Sequence, residues 1–234
     1  NGNFWELCGY IGIFPIVLGI IAILLKRNKY VLFFSILAIF AIFFAAGRFS
    51  FVYPLFYKFV PGFNLFRAPA RFLFIYSFSI AILAAFGCNI LVSKLTKKNT
   101  KIIKIISSGL CIIAVLSFLI FILITINKVD VGKILQAHGY AIGNNIQEIV
   151  RLIKKDIVLF SILSFSSSIL LFLRVKNTLN IFAIKFLIII IIIFNSWFFG
   201  LKFYETKSIK DVFKQTPEIN IFKEDNSIYR VFDL

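Results

Sequence analysis

Six long apolar blocks set the first limit on what this chain can fold into. They run approximately over Gly9–Leu25, Tyr30–Ala46, Phe72–Ser93, Ile105–Ile126, Ile157–Leu173 and Ile181–Leu201. Crossing ~30 Å of hydrocarbon takes about 20 apolar residues in a helix, and roughly 17 is the short end of the range. The apolar residues are continuous within each block rather than alternating with polar ones, which argues against half-buried strands. Of the 234 residues, 60% are hydrophobic and 15% charged, and a water-soluble domain of this length could not hide that much apolar surface. The expected fold class is an all-α membrane protein of about six transmembrane helices.

The formal net charge of +16 would suit a nucleic-acid partner, but the charges sit where membrane topology wants them. Lys26, Arg27 and Lys29 follow the first block. Lys94, Lys97, Lys98, Lys101 and Lys104 follow the third, and Arg174 and Lys176 follow the fifth. These short connections hold ten basic residues and no acid. All three acids lying between blocks, Asp130, Glu148 and Asp156, fall in the long connection 127–156. The positive-inside rule then places the short loops in the cytoplasm, and both ends and the loops 47–71 and 127–156 on the outer face. Lys185, near the basic end of the sixth block, reads as a snorkelling side chain.

The loop 47–71 holds the candidate site. Arg67 and Arg71 stand four residues apart in PGFNLFRAPARF (Pro61–Phe72), at the mouth of the third block. Tyr53–Pro54 and Pro61–Gly62 are turn formers, and Leu55–Phe59 fits one helical turn lying in the interface. The loop is too apolar to face water, so it is expected to dip back as a re-entrant-like outer loop or to pack on the helices. Non-helical backbone at that depth lines a wet cavity or is buried in protein, which suggests an outer cleft lined by Arg48, Tyr53, Asn64, Arg67 and Arg71. With Ala70 onward helical, Arg71 falls in the first turn, where a cation opposes the helix dipole. A bound anion offsets that, and the arginine fork matches phosphate oxygens. The alternative, both arginines snorkelling to lipid phosphates, stands level with it. Glu6, just before the first block, is either an interfacial carboxylate or an outer-face contact for a substrate or metal.

Elsewhere the chain carries less chemistry. Val129–Ala137 and Asn145–Lys155 read as short helices, the second an amphipathic one lying in the interface. His138 between them reads as a hydrogen-bonded loop residue. Cys8, Cys88 and Cys111 show no metal-ligand spacing and suit apolar packing. From 202 to 234 the composition turns polar and reads as the start of an extracytoplasmic soluble domain, with a helix over Ser208–Gln215 and a strand over Ser227–Phe232. With no methionine and a membrane helix almost at its first residue, the chain reads as a piece of a longer protein.

Through ELCGYIGIFPIVLGI (Glu6–Ile20), PGFNLFRAPARF (Pro61–Phe72) and YRVFD (Tyr229–Asp233), the chain resembles the YfhO family of bacterial multi-pass membrane proteins. The resemblance implies a GT-C-like glycosyltransferase in the plasma membrane. It also implies a polyprenyl-phosphate sugar donor and a cell-envelope acceptor on the outer face. A catalytic acid is implied in an outer loop upstream of Asn1, a position that Glu6 does not match. Arg67 and Arg71 would hold the leaving phosphate. No cofactor is implied by these residues; a divalent cation suits such chemistry, but no ligand set for one is visible. Two other readings stay open: a lipid-linked glycan flippase or transporter, and a non-catalytic membrane scaffold.

Overall fold

The computed structural model describes residues 9–63, 69–126, 134 and 146–200. The chain divides into two compact units, Asn1–Phe199 and Gly200–Leu234. Apart from Gly200, the second unit lies outside the described residues, as do the helix and strand expected within it.

The described residues form helices and turns. Seven α-helices follow one another: α1 (Ile13–Leu25), α2 (Lys29–Ala45), α3 (Val52–Phe59), α4 (Leu73–Val92), α5 (Lys97–Thr125), α6 (Ile146–Lys176) and α7 (Ile181–Gly200). Short 3-10 turns occupy Gly47–Phe49 and Pro69–Phe72. Four segments are long and apolar enough to cross a membrane: Pro69–Val92, Lys97–Thr125, Gln147–Lys176 and Ile181–Gly200. The 13 residues of α1 reach only about 20 Å and the 17 of α2 about 26 Å, at 1.5 Å per residue.

Three boundaries differ from the apolar blocks for local reasons. The first block begins at Gly9, but Gly12 takes φ +98° and helix starts only at Ile13. The fourth extends back to Lys97, where Thr96 accepts a hydrogen bond from the Asn99 amide at 3.2 Å and caps the helix. The amphipathic segment expected over Asn145–Lys155 is not separate. It runs through Asp156 into the fifth block as a single 31-residue helix, because no proline or glycine interrupts 146–176. The other short helix expected in that loop, Val129–Ala137, lies outside the described residues except for Ile134.

The long helices alternate in direction. Gly9 meets Leu73 and Gly19 meets Leu83, so α1 and α4 run parallel. Phe34 pairs with Phe78 and Phe44 with Phe72, so α2 runs antiparallel to α4. Ser107 bonds Ser168 and Ser117 bonds Ser161, so α5 and α6 are antiparallel. One end of the bundle thus gathers the basic turn after α1, the end of α4, the start of α5 and the end of α6. The turns bearing Arg48 and Arg71 lie at the other end.

Close approach at small residues holds these helices together. A Cβ on Gly87 would sit 2.0 Å from the Leu18 carbonyl oxygen, so α1 and α4 touch backbone to backbone there. Between α5 and α6, each of Ser107 and Ser168 donates its hydroxyl to the other's backbone carbonyl, at 2.9 and 2.8 Å. Small side chains that permit close approach, with hydroxyls bonding across, are the usual glue where lipid leaves no hydrophobic drive between helices. Phe14, Leu18, Ile21, Leu91, Ile103 and Leu171 fill the core so formed. The outward faces stay apolar: Phe182 is 83% and Leu32 63% exposed, as suits helices whose solvent is hydrocarbon.

Candidate functional site

The arginine-bearing turns are built on the end of α2. Gly47 stops that helix in the left-handed region at φ +54°. It must also be small, since a Cβ there would lie 3.1 Å from Pro69 Cγ. The turn Gly47–Phe49, which carries Arg48, is thereby seated against the turn Pro69–Phe72, which carries Arg71. The buried Ser50 hydroxyl accepts a hydrogen bond from the Val52 amide at 3.1 Å and launches α3. Pro54 falls in the first turn of α3, where its missing N–H is tolerated. Helix α3 is longer than the single turn expected, and none of its residues is fully buried.

Phe44, 1% exposed, is the anchor for the whole loop. Its ring lies 4.8 Å from Phe56, 5.4 Å from Phe63, 4.8 Å from Phe72 and 6.3 Å from Tyr53. Such offset and edge-on aromatic pairs each add about 0.5–1.5 kcal/mol beyond area burial. Through these rings the described part of the loop packs on α2. Phe49, Phe51 and Phe59 remain largely exposed around it, an apolar rim suited to the membrane interface.

Of the residues singled out in the sequence, three are described at this end of the bundle. Arg48 is exposed, with its guanidinium carbon 5.0 Å from the Phe49 ring centroid. Tyr53 is half-buried among Phe44, Tyr57 and Phe63. Arg71 is exposed in the 3-10 turn Pro69–Phe72, which runs directly into α4 and forms the first turn of a continuous helical run Pro69–Val92. Asn64, Arg67 and Glu6 lie outside the described residues. The segment 47–72 contains no Asp or Glu, so any counter-charge must come from elsewhere in the protein or from a ligand. Helix α4 begins with no side-chain cap and no acid in its first turn. The turn Pro69–Phe72 precedes it without a gap, so the helical run begins at Pro69.

Among the described residues, no group of three or more His, Cys, Asp or Glu is placed to hold a metal. Cys88 and Cys111 are free and half-buried.

Two polar residues that sequence reasoning passed over do structural work. Arg174 reads in the sequence as a topology marker, yet its side chain is buried. Its Nε donates to the Leu91 carbonyl at 2.5 Å, Nη2 to the Ser93 carbonyl at 2.8 Å and Nη1 to Asn177 Oδ1 at 3.1 Å. It thus satisfies carbonyls that the end of α4 leaves without partners and places a cation at the negative end of the helix. Asn195 is fully buried in α7; its Oδ1 accepts from the Ile13 amide at 3.1 Å and its Nδ2 donates to Ile191 O at 2.8 Å. It caps α1 from 182 residues away. A lone amide in an isoleucine-rich span was the available signal for Asn195. For Arg174 there was none beyond its place at a helix end.

Comparison with protein-family models gives no match, and neither the curated proteins nor the solved structures give one.

Proposed function

We propose that the protein is a membrane glycosyltransferase of the YfhO and GT-C kind. It would transfer a sugar from a polyprenyl-phosphate donor to a cell-envelope acceptor at the outer face of a bacterial plasma membrane. The reading takes all six apolar segments as spans, α1 and α2 making the short ones, with 202–234 opening an extracytoplasmic domain. It places the basic turns in the cytoplasm and the arginine turns outside.

The observation that supports it is the seating of Gly47 against Pro69. Through it, Arg48 and Arg71 are presented from adjoining turns at the end of the bundle opposite the basic loops. Two guanidiniums beside the start of a helical run, with no carboxylate in the segment, suit a phosphate. The exposed rings around them suit the first isoprene units of the donor. In the reaction, the acceptor hydroxyl attacks the anomeric carbon and the bond from that carbon to the phosphate oxygen breaks. The proton goes to an upstream carboxylate, and the charge left on polyprenyl phosphate is stabilised by Arg67 and Arg71.

The test is transfer by the full-length protein from a radiolabelled polyprenyl-phosphate sugar. Arg67→Ala with Arg71→Ala is expected to abolish transfer without altering membrane insertion, and retained transfer sinks the role. Arg71→Lys separates this reading from a scaffold whose arginines snorkel. Snorkelling needs only the charge, whereas a forked phosphate contact loses geometry in the swap.

A further inference from the structure

At the opposite end of α2, the turn joining α1 to α2 borders an open pocket of about 370 Å³. Ile23, Lys26, Arg27, Lys29, Leu32 and Ser35 line it. Three of four consecutive positions are cations. Lys29 is the first residue of α2, where a cation opposes the dipole, and the first turn of that helix holds no acid. Lys26 is half-buried, with Nζ 4.3 Å from the centre of the Phe86 ring on α4. The pocket therefore concentrates positive potential from three side chains and a helix end.

No described carboxylate relieves it. Glu148 and Asp156 both lie towards the start of α6, whose far end is tied by Arg174 to the end of α4. From Arg174 back to Asp156 is about 27 Å along the helix at 1.5 Å per residue, several times the ~8 Å screening length of physiological salt. The pocket is also amphipathic. Its other wall is Ile23 and Leu32, which are 47% and 63% exposed and continue along the outer faces of α1 and α2. A free phosphate would use only the cationic half. A ligand with a phosphate at one end and an apolar chain at the other uses both.

The geometry points to a binding site for an anionic phospholipid at the α1–α2 turn. Lys26, Arg27 and Lys29 hold the headgroup phosphate, and an acyl chain lies on Ile23 and Leu32. The site does not depend on the proposed transferase activity, since it uses no residue of the arginine turns.

The test is thermal unfolding of the full chain in neutral detergent, titrated in turn with phosphatidylglycerol, phosphatidylcholine and inorganic phosphate, with bound lipids counted by native mass spectrometry. Phosphatidylglycerol is expected to raise Tm and to be retained, while the other two do neither. Each charge removed should lower the preference for phosphatidylglycerol about fivefold. Arg27→Gln, at an exposed position, reads that single step even if the triple variant K26Q/R27Q/K29Q does not fold. A control with equal charge loss on the same end, K97Q/K98Q/K101Q, is expected to keep the preference. Unchanged preference in Arg27→Gln overturns the site, and so does an equal loss in the control. Stabilisation by inorganic phosphate equal to that by phosphatidylglycerol overturns the lipid as its occupant.

Discussion

Replacing Gly87 with alanine adds one methyl group at the tightest contact in the bundle. The new Cβ would lie 2.0 Å from the Leu18 oxygen and 2.6 Å from its carbonyl carbon. Both obstacles are backbone, so no rotamer change relieves them. Restoring even a 3.0 Å contact needs α1 and α4 to part by about 1 Å, and a gap of that size forfeits a quarter to a half of the dispersion energy of each contact it opens. Those contacts include Leu18 and Ile21 of α1 and Leu91 of α4, all within 1% of complete burial. Overpacking of this kind costs about 3 kcal/mol at the upper end of its usual range. The better helix propensity of alanine returns only about 1 kcal/mol. The clash wins by about 2 kcal/mol, a fall in Tm of roughly 4–8 °C for a chain of this size. Gly109 in α5 is the internal control: a Cβ there meets nothing within 4 Å. Gly109→Ala should therefore gain the same ~1 kcal/mol of propensity with no clash to set against it. Thermal unfolding of both variants in the same detergent, followed by helicity, compares them directly. If Gly87→Ala melts at or above the wild-type temperature, the backbone contact between α1 and α4 is wrong.

Arg174→Gln leaves the Leu91 and Ser93 carbonyls short of their donors and should destabilise by about 2–4 kcal/mol; Arg174→Lys should recover only part of that, because one ammonium cannot reproduce three directed bonds. Comparing the Tm of the two variants checks this. Asn195→Leu removes the cap on α1 and should cost about 1–2 kcal/mol, with hydrogen exchange at the Ile13 amide accelerating more than at mid-helix amides. Ser164 is fully buried and its hydroxyl has no hydrogen-bond partner among the described residues, so Ser164→Ala should hold or raise Tm, by up to about 1 kcal/mol of added stability. A fall in Tm for Ser164→Ala would mean that the hydroxyl does bond a partner in the folded protein.

Much of the architecture was legible because hydrocarbon is an undemanding solvent to read. An apolar run long enough to span has one way to satisfy its backbone, and that is a helix. The blocks starting at Tyr30, Phe72 and Ile181 accordingly became helices within a few residues of their expected bounds. Where bounds slipped, a local backbone feature decided: the positive φ of Gly12, or the absence of any breaker across Asp156. The loop 47–71 was legible in part. Its apolar character predicted rings in need of cover, but not that Phe44 of α2 would be their anchor, because aromatic packing depends on which rings the backbone brings within about 5–6 Å.

What the sequence determined by itself was therefore composition-driven: helical segments and the separation of the basic turns from the arginine loop. Partner choice was decided only by tertiary structure. That α1 and α4 run parallel and touch at Leu18 and Gly87, that Asn195 caps a helix 182 residues away, and that Arg174 closes the end of α4 are all long-range pairings. A buried donor or acceptor must find a partner somewhere, but only the packed bundle determines which of several helix ends comes within hydrogen-bond reach.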